Sequence, residues 1–347
     1  MRAWVFKKRG DPATVLKLEQ DWPEPAPTKG KILIKVHAAA LNPVGWKAMS
    51  VPPLSWGQKV PAVPESDFSG IIEDGDLTGT GLSKGDEVFG IVTADSVMKS
   101  GQGVLAEYTL VPKEHVIKKP KSISFEEAAS FPLTTFTSYA SLVDGAGLKK
   151  GAGQRVFING GSGGAGVYAI QLAKAYGAYV VTTCSPASRR LVESLGPDEV
   201  IDYKAGDLVE TLSERFSVKE KPFDIVFDTV GYNERLYPQS PRFLAPKGTF
   251  VDIVGPPLDG TALSLVSAIG FFFARSVRPA WLGGTPRTYK FLFMQPKEVH
   301  LKEMAKFAGE GKLKPIIDEV FPFEQALRAY DRQKSGRAKG KVVVSIV

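Results

Sequence analysis

Several residue types that build common functional sites are scarce in this chain. Its 347 residues include one cysteine, Cys184, and only three histidines, His37, His115 and His300. A single cysteine excludes a disulfide framework and a zinc lobe of the Cys-x-x-Cys type. The histidines are widely separated, and His37 lies in a strand-like run where we interpret it as structural. The sequence therefore predicts no metal site.

Long hydrophobic runs and charge of one sign are also missing. The longest apolar stretch, residues 262–274, contains serines and a glycine and is too short to span a bilayer. The chain begins with a strand-like segment rather than a leader. Its net charge of +7 arises from 44 basic residues dispersed among 37 acidic ones, without a nucleic-acid-binding motif. We expect a soluble, cytoplasmic protein that binds no nucleic acid and does not insert stably into membranes.

The most informative stretch covers residues 155–177. A strand-like segment, RVFIN, runs into a glycine cluster, and an apolar stretch of helical period follows and ends at Gly177. Gly161, Gly163 and Gly166 have the spacing G-x-G-x-x-G. In this motif the glycines permit a tight turn, close approach of a pyrophosphate, and close packing of helix on strand. The strand before it and the helix after it favour a nucleotide site over a glycine-rich turn without a ligand.

A second motif overlaps the first. Gly160, Ser162 and Gly164 read G-x-S-x-G, the nucleophile elbow of α/β hydrolases. That mechanism needs an acid and then a histidine further along the chain. Only His300 follows, on the polar side of a predicted helix, and the elbow leaves Gly166 unexplained. A serine hydrolase remains the alternative to the nucleotide-binding interpretation, and it belongs to a different class of enzyme.

The pattern of the sequence changes near residue 125, from strand-like runs to alternating helix-like and strand-like segments. Before it, short strand-like runs are separated by Pro- and Gly-rich loops, which indicates a compact, mostly β domain. From Phe125 a helix-forming segment broken at Pro132 leads into alternating strands and helices, including a helical stretch ending near Pro246. This alternation predicts a parallel, doubly wound sheet. The tail after about residue 297 fits neither domain by pattern alone.

The segment after the glycine-rich helix indicates which nucleotide binds. NAD-binding folds carry an acid about 20 residues past the first glycine to hold the ribose 2′-hydroxyl. Here the sequence is TTCSPASRR, with no acid before Glu193. Ser185 and Arg189 can bind a 2′-phosphate, and Tyr203 with Lys204 could close the same site. This pattern favours NADPH, although the arginine could also belong to a solvated helix face.

With these features in hand, the chain resembles the medium-chain dehydrogenases/reductases over nearly its full length. It is most similar to the zinc-independent quinone oxidoreductase branch, among the alkenal and enone reductases. The resemblance rests on several motifs: NPVGWK (42–47), ESDFSG (65–70), KGDEVFG (84–90), AEYTLV (106–111), AASFPLTTFTSYASL, NGGSGGAG, FDTVG (227–231) and SGRAKGKVVV (335–344).

The resemblance implies an α/β fold of two domains. A GroES-like, β-rich catalytic domain would comprise residues 1–124 completed by 296–347, which would place the unassigned tail. A Rossmann domain with a doubly wound parallel sheet would comprise residues 125–295. The nicotinamide would meet the substrate in a cleft between them, and a homodimer is expected because dimers are common in the family.

The resemblance also assigns residues to the cofactor. Ser162, Gly163, Gly164 and Ala165 would line the pyrophosphate. Near the nicotinamide end and the cofactor edge it places Val230, Gly231, Ile253, Gly255, Phe291 and Phe293.

Three departures from the family bear on mechanism. Zinc-dependent relatives place Cys and His-Glu where this chain has NPVGWK and ESDFSG, so no catalytic zinc is expected. Gly45 stands where the family often has Asp, which removes a structural or substrate contact. The tyrosine that enoyl-thioester reductases place about a dozen residues past Asn-Pro is missing, since the first tyrosine is Tyr108. A 2-enoyl thioester reductase therefore remains an alternative.

The function predicted is metal-free, NADPH-dependent reduction of quinones or of the C=C bond of enals and enones. Such a reaction needs only donors for the developing enolate and a proton source. We predict that Lys47 supplies a donor or positive charge and that Asn42 orients it, while Thr135 and Thr137 lie along the nicotinamide ribose. For Lys47 the alternative is a surface lysine beside Trp46.

Two further interpretations remain open. Residues 264–284, with their aromatics, could form a substrate-side flap or a dimer edge, or could simply pack in the core. A binding-only protein that holds NADPH without turnover is the remaining alternative of a different class.

Overall fold

The chain forms two compact units. A computed structural model describes residues 1–231, 233–256, 258, 261–292 and 294–347. Unit 1 comprises Met1–Phe136 and Gln295–Val347, and unit 2 comprises Thr137–Met294. Both ends of the chain therefore belong to the same unit.

Strands and helices alternate only in the second half of the chain. The strands are β1 (Ala3–Phe6), β2 (Leu16–Glu19), β3 (Lys31–Ala40), β4 (Asp67–Gly75), β5 (Glu87–Ile91), β6 (Tyr108–Pro112), β7 (Val116–Lys118), β8 (Arg155–Asn159), β9 (Tyr179–Cys184), β10 (Glu199–Asp202), β11 (Phe223–Asp228), β12 (Leu244–Asp252), β13 (Thr288–Phe291), β14 (Ile317–Pro322) and β15 (Lys341–Ser345). The α-helices are α1 (Pro12–Val15), α2 (Pro43–Ser50), α3 (Ala94–Ser100), α4 (Phe125–Ala129), α5 (Pro132–Ser138), α6 (Gly164–Ala175), α7 (Arg189–Ser194), α8 (Leu208–Arg215), α9 (Ala262–Ser276), α10 (Glu298–Gly309) and α11 (Ala326–Lys334), and a π-helix at Tyr139–Gly145 follows α5.

Unit 1 is built on a sheet of seven strands. The order is β14-β15-β3-β4-β5-β7, and β6 pairs with the other end of β3. β15, from the carboxyl-terminal tail, pairs antiparallel with β3, so that Val343 lies opposite Ala40 and Ser345 opposite Ala38. The tail thus completes the β-rich domain of the front, as the resemblance implies.

Residues 125–136 lie in unit 1 rather than in the dinucleotide-binding domain to which the sequence analysis assigned them. Ala129 of α4 is buried in a cluster that includes Val343. The N–H of Leu133 donates to Asp67 Oδ1 at 2.8 Å. The prediction followed the change from strand-like to helix-like sequence, whereas packing of α4 on the first sheet moves the boundary to residue 136.

Unit 2 contains one sheet of six strands, in the order β10-β9-β8-β11-β12-β13, and every pairing is parallel. The chain enters at β8, moves outward to β10 and returns to β11 on the other side of β8. This reversal is the switch point of a doubly wound sheet, beside which ligands bind at the carboxyl ends of the strands. The predicted Rossmann arrangement is confirmed.

One helix prediction in unit 2 is wrong. The sequence analysis expects a helical stretch ending near Pro246, but the described residues there form turns and a 3₁₀-helix at Ser240–Arg242, and β12 begins at Leu244. Pro238 and Pro241 lie in this connection. Each lacks the N–H that a helix interior requires, so an α-helix is disfavoured.

Helix α9 packs on the last strands of unit 2 by one face only. Phe271 and Phe272 contact the buried cluster that contains Phe250 and Tyr289, and Ala268 is buried. The opposite face carries exposed apolar side chains. Among the helices that the structure describes, none has the length and apolar character needed to cross a membrane.

Candidate active site

The glycine cluster lies between β8 and α6, at the carboxyl end of a central strand. Gly160 has a φ of 92°, a left-handed conformation that favours glycine. Its N–H donates to Thr183 Oγ1 at 2.8 Å, and the N–H of Gly161 donates to the Thr183 carbonyl at 2.8 Å. Thr183, on the neighbouring strand β9, therefore fixes the start of the turn.

The glycines of this turn lack side chains for two different reasons. A Cβ at Gly166 would lie 2.1 Å from the carbonyl oxygen of Gly160, and one at Gly161 would lie 2.3 Å from Thr182 Oγ1. These two positions allow the helix and strands to pack closely. At Gly163 the nearest atom to a Cβ would be 3.6 Å away, so the protein itself leaves that position open. An open position at the turn is what a closely approaching pyrophosphate requires.

The start of α6 offers the donors for such an anion. The helix begins at Gly164, and its N-cap, Gly163, provides no side-chain cap. The first N–H groups of a helix have no intrahelical partner, and the helix dipole favours negative charge there. The turn brings together the four residues expected to line the pyrophosphate. Ser162 and Ala165 flank Gly163 and Gly164 in the chain, and both are half-buried. The residues present therefore fit a dinucleotide.

The nucleophile elbow lacks its partners in this unit. All three histidines of the chain lie outside residues 137–294, so the unit that carries Ser162 contains no general base of the required type. The sequence analysis placed His300 on a polar helix face. The structure buries it in α10, with 6% of its surface exposed, because α10 packs against β7 of the same unit.

The strands β11 and β12 each end in a turn of the same kind. Asp228 Oδ1 accepts the N–H groups of Val230 and Gly231 at 3.0 and 3.1 Å. Asp252 Oδ1 accepts those of Val254 and Gly255 at 2.8 and 3.3 Å. Both glycines have positive φ, 74° and 66°. Each aspartate therefore holds the backbone of its own turn, as short acidic side chains do in Asx-type turns.

Both aspartates are buried and have further partners. Asn159 Nδ2, at the end of β8, donates to Asp228 Oδ1 at 2.9 Å, and the Tyr289 hydroxyl donates to Asp252 Oδ2 at 2.9 Å. Burial raises the pKa of Asp228. Burial also raises the pKa of Tyr289, and the adjacent Asp252 raises it further. These contacts fix the carboxyl edge of the sheet independently of any ligand.

The structure brings the residues expected near the nicotinamide end to this edge. Asp228 lies opposite both Asn159 and Asp252 in the sheet, and Asp252 lies opposite Phe291. Val230, Gly231, Ile253 and Gly255 follow directly, and the Phe291 ring lies 3.1 Å from the position of a Cβ on Gly255. Phe293 lies outside the described residues.

The residues expected to bind a 2′-phosphate follow the ends of β9 and β10, which are adjacent parallel strands. Ser185 caps a 3₁₀ turn and lies 3.5 Å from Ser188 Oγ. Arg189 opens α7 and pairs with Glu193 at 2.8 Å, both half exposed. Tyr203 is 48% exposed. A phosphate would replace Glu193 at the guanidinium at little cost, because exposed pairs at this spacing contribute only about 0.3–0.5 kcal/mol.

Unit 1 contains a buried polar cluster at the start of α2. Asn42 Oδ1 accepts from Lys341 Nζ at 2.5 Å, and Asn42 Nδ2 donates to Asp67 Oδ2 at 3.0 Å. Lys341 Nζ lies 3.0 Å from the same carboxylate oxygen, and both charged side chains are almost fully buried. The Asn42 side chain therefore joins β3, β4 and β15. Through these hydrogen bonds the Asn42 side chain stabilises the loop that leads to α2.

Glu65 lies beside this cluster. It has a φ of 70°, the one positive value recorded for a non-glycine residue in the described chain. Its Oε1 accepts from the Tyr330 hydroxyl at 2.7 Å and its Oε2 accepts from the Asn42 N–H at 3.1 Å. A Cβ at Gly45 would lie 2.1 Å from Oε1. Glu65 thus fills the space of the side chain that the family often has at position 45.

The charge of this cluster predicts a pH dependence of stability. Burial raises the pKa of Glu65 to about 8, so at neutral pH this carboxyl keeps its proton beside the Asp67–Lys341 pair. Because the folded pKa lies above the unfolded one, Glu65 favours folding most below about pH 4.5, and this contribution is lost as pH rises toward 8. We expect the unfolding free energy to fall by up to about 1.4 kcal/mol per pH unit across this window.

Urea denaturation of the wild type and Glu65→Gln between pH 5 and 8.5 tests this expectation. The variant should lose the slope while carrying a constant offset for the altered hydrogen bonds. The exposed Glu24→Gln is the matched control and should retain the wild-type slope. Equal slopes in the wild type and Glu65→Gln would show that Glu65 does not titrate in this range.

Lys47 lies in α2, one turn after Asn42. Its ammonium is 5.8 Å from the centre of the Trp46 ring, and burial lowers its pKa. In the part of the chain that the structure describes, no carboxylate pairs with it. The contacts of the Asn42 side chain do not include Lys47, so any orientation of the lysine by Asn42 acts through the start of the helix.

Thr135 and Thr137 lie in α5, directly before the π-helix. Both are buried, Thr135 completely. The Thr135 hydroxyl has no hydrogen-bond partner among the described residues. Buried hydroxyls are usually paired, so this one is a candidate to bind a ligand. π-Helical turns also occur frequently at functional sites.

Sequence reasoning missed two polar clusters. Asp67 and Lys341 both lie in motifs quoted above, but their contact joins positions 274 residues apart, which spacing along the chain does not reveal. The aspartates of β11 and β12 did leave a signal. The pattern Asp-x-Val-Gly occurs at 228–231 and again at 252–255, each time after an apolar strand, and this repetition predicts two equivalent turns.

Residues 28–121 match the family model described as alcohol dehydrogenase GroES-like domain. Residues 195–344 match the one described as zinc-binding dehydrogenase. Despite the latter description, the described residues include no group of three or more His, Cys, Asp or Glu side chains that could hold a metal ion.

Similar proteins span the whole chain. A trans-enoyl reductase of Aspergillus terreus, pgmF, is 36% identical and aligns with 100% of this chain and 96% of its own length. The mitochondrial NAD(P)H oxidoreductase RTN4IP1 of Danio rerio is 32% identical over 100% of this chain and 92% of its own. The solved structure of a quinone oxidoreductase from Coxiella burnetii superposes with a TM-score of 0.80 at 28% identity, covering 100% and 99% of the two chains.

Proposed function

Since the chain belongs to the medium-chain dehydrogenases/reductases, in their zinc-independent quinone oxidoreductase branch, we propose that it is an NADPH-dependent reductase of quinones and α,β-unsaturated carbonyls. Unit 2 corresponds in this proposal to the dinucleotide-binding domain and unit 1 to the catalytic domain. Hydride transfer to an electron-poor carbon requires no metal.

One observation carries the proposal. The carboxyl ends of β8, β9, β11, β12 and β13 bring together the open glycine turn, the segment after Cys184 and the two aspartate-held turns. A sheet edge of this kind, at its switch point, is where dinucleotides bind. The fixed backbone of the turns supports binding without rearrangement.

The cofactor would be held by residues of this edge. Gly163, Gly164 and the N–H groups of α6 would bind the pyrophosphate, and Ser185 and Arg189 the 2′-phosphate. When bound, NADPH supplies the hydride. The turns at Gly231 and Gly255, with the Phe291 ring beside the latter, would exclude water from the nicotinamide end.

Lys47 would act on the substrate. Reduction of a conjugated C=C bond or a quinone places negative charge on a substrate oxygen, and a preorganised donor there lowers the barrier. The half-buried ammonium of Lys47, with a lowered pKa, provides such a donor. Asn42 is then a positioning residue, because its bonds to Asp67 and Lys341 fix the chain just before α2. Thr135 would donate its free hydroxyl to the nicotinamide ribose.

NADPH oxidation by the purified protein tests the proposal. The panel contains 9,10-phenanthrenequinone, a medium-chain 2-alkenal, an enone and an enoyl thioester, each measured with NADPH and with NADH. Turnover of a quinone, enal or enone supports the proposed activity. Tight NADPH binding without turnover of any of them would identify a binding protein, and absence of nucleotide binding would refute the proposal.

A second candidate is a 2-enoyl thioester reductase. The similarity to a protein named trans-enoyl reductase favours it, while the missing tyrosine in the segment after Asn42 weighs against it. Both candidates use the same cofactor edge. Exclusive turnover of the enoyl thioester in the panel would decide for this candidate.

The preference for NADPH predicts a selective effect at Arg189. Arg189→Gln should raise the KM for NADPH by roughly 10- to 100-fold, since it removes a charge-assisted bond to phosphate, and should leave the KM for NADH unchanged. Arg190→Gln, the exposed neighbour in the same helix, is the matched control. Equal changes for both cofactors would contradict recognition of the 2′-phosphate by Arg189.

We also propose a cytoplasmic homodimer. Dimers are common in the family, but the Danio rerio relative is named as mitochondrial. Light scattering after size-exclusion chromatography gives the oligomeric state. Subcellular fractionation of the tagged chain gives the location.

A further inference from the structure

Glu65 is held in a backbone conformation that glutamate does not favour. Its φ of 70° is left-handed, which costs free energy for a residue with a Cβ and persists only where surrounding contacts enforce it. The residue is buried, and its carboxyl group lies between two segments distant in sequence. Oε1 accepts from the Tyr330 hydroxyl of α11, and Oε2 accepts from the N–H of Asn42, at the start of α2. Backbone strain of this kind is concentrated at functional sites.

The first turn of α2 rests on this carboxyl group. A Cβ at Gly45 would lie 2.1 Å from Glu65 Oε1 and 2.7 Å from Oε2, so the carboxyl group occupies the place that a side chain of the helix would take. The Asn42 side chain provides no cap to the helix, because it binds Asp67 and Lys341 instead. Glu65 therefore fixes the backbone at the point where α2 begins.

Side-chain packing does not fix the inner side of α2 completely. A small cavity with room for about one water molecule lies along this side, and its lining includes Val44, Gly45, Ala48, Met49, Glu65 and Met98. Atoms beside a void lose part of their van der Waals contacts, so the helix is held less firmly there than in a filled core. The contact with Glu65 is correspondingly more important for the position of the helix.

Lys47 depends on the direction of this helix. It lies in the second turn of α2 and is half-buried. Among the residues that the structure describes, no carboxylate holds its ammonium, which lies 5.8 Å from the centre of the Trp46 ring. The ammonium therefore moves with the helix. A displacement of about 1 Å at a reacting centre can cost about a hundredfold in rate.

We propose that Glu65 is a positioning residue for Lys47. Its carboxyl group, packed against the first turn of α2, sets the direction in which the helix presents the ammonium to the substrate. This role rests on the function proposed above for Lys47. It accounts for a glutamate at a backbone conformation that glycine would adopt without strain. It also relates two positions, because the carboxyl group that the family often carries at position 45 is supplied here from position 65.

Steady-state kinetics of Glu65→Gly tests the proposal. Glycine adopts the left-handed backbone freely, so this variant loses the carboxyl group and keeps the fold, which circular dichroism verifies. We expect kcat to fall by about 10- to 100-fold, while the KM for NADPH, which would bind in unit 2, stays the same. Glu65→Gln, with a side chain of equal length, should retain most of the wild-type kcat. Glu24→Gly, at an exposed position, is the matched control and should change neither constant.

A double variant tests whether the effect passes through the lysine. If it does, adding Glu65→Gly to Lys47→Met will lower kcat no further, because residues that act as one unit are not additive. An undiminished additional loss in the double variant would overturn the proposal. So would a wild-type kcat in Glu65→Gly alone, or an equal change in the KM for NADPH.

Returning the carboxyl group from the helix provides a rescue. Gly45→Asp alone should lower kcat, since its side chain and Glu65 compete for the same space. Gly45→Asp with Glu65→Gly leaves one carboxyl group in that space and should recover most of the wild-type kcat. A double variant with less activity than either single variant would contradict an exchange between the two positions.

Fluorescence without cofactor or substrate separates this proposal from the proposed reductase function. Trp46 is next to Lys47 and half-buried, so its emission, taken as the difference between each protein and its Trp46→Phe counterpart, reports on α2. Glu65→Gly should shift this emission, and Gly45→Asp with Glu65→Gly should restore it. If these shifts occur in a protein that turns over no substrate, the reductase function fails and the positioning of α2 by Glu65 stands. Unchanged Trp46 emission in Glu65→Gly would refute the positioning whatever the activity.

Discussion

Gly166→Ala is expected to destabilise unit 2 by about 3 kcal/mol or more. The new Cβ would lie 2.1 Å from the Gly160 carbonyl oxygen and 2.9 Å from the Gly161 Cα. Both obstacles are backbone atoms of a tight turn and cannot rotate away, so α6 must move off β8. Overpacking against flexible side chains costs about 1–3 kcal/mol, and a rigid backbone contact belongs at or beyond the upper end. Urea denaturation followed by circular dichroism measures the loss.

Gly163→Ala provides the matched control three residues earlier. Its Cβ would have ordinary contact distances, and its φ of −78° suits alanine. We expect stability within about 1 kcal/mol of the wild type. NADPH affinity should nevertheless fall, since the added methyl group occupies the space left for the pyrophosphate. If Gly166→Ala were as stable as Gly163→Ala, the close approach of helix and strand at Gly166 would be refuted.

Lys341→Met is expected to cost about 3–5 kcal/mol in unfolding free energy. The ammonium has two partners, Asp67 Oδ2 and Asn42 Oδ1, and its removal leaves the fully buried Asp67 without its counter-charge. Breaking a buried pair from one side usually costs this much, whereas replacing both charges together costs less. Burial already raises the pKa of Asp67, so the variant should take up a proton there and recover part of its stability at lower pH.

The double variant Asp67→Asn with Lys341→Met separates charge from packing. It should be more stable than Lys341→Met alone, because no uncompensated charge remains. Lys339→Met, an exposed position two residues earlier, is the control and should change stability by less than about 0.5 kcal/mol. A double variant less stable than Lys341→Met would show that hydrogen bonding within the cluster outweighs its charge balance.

The sequence predicted the parts of the fold that local pattern determines. The glycine turn is readable because the strand, the glycine spacing and the helix follow one another within 155–177, and the structure has all three. The helix expected before Pro246 is wrong because Pro238 and Pro241 disfavour an α-helix there and β12 begins already at Leu244. The domain boundary predicted at residue 125 differs from the observed one after residue 136, because α4 packs on a sheet whose strands come from other parts of the chain.

The polar clusters illustrate what local pattern cannot supply. Asn42 was selected from its motif as an orienting residue, and its buried partners turned out to be Asp67 and Lys341, whose positions depend on β15 pairing with β3. The sequence analysis interpreted Gly45 as the loss of a side-chain contact. In the structure the Glu65 carboxylate, held by a left-handed backbone, occupies the space that a side chain at position 45 would fill. Both results depend on the three-dimensional path of distant segments, which no spacing in the sequence expresses.

The paired turns at the ends of β11 and β12 have a consequence for how this protein can change. Each turn is held by a buried carboxylate, and in the first turn the Thr229 hydroxyl also donates to the Asn159 carbonyl at 2.6 Å. The apolar side chains of Val230, Ile253 and Val254 make no hydrogen bond to the backbone, so they could be exchanged for other residues while the amides keep their places. The shape and the chemistry of this edge are therefore separately adjustable, which makes these three positions suited to altering ligand preference by directed evolution without loss of the fold.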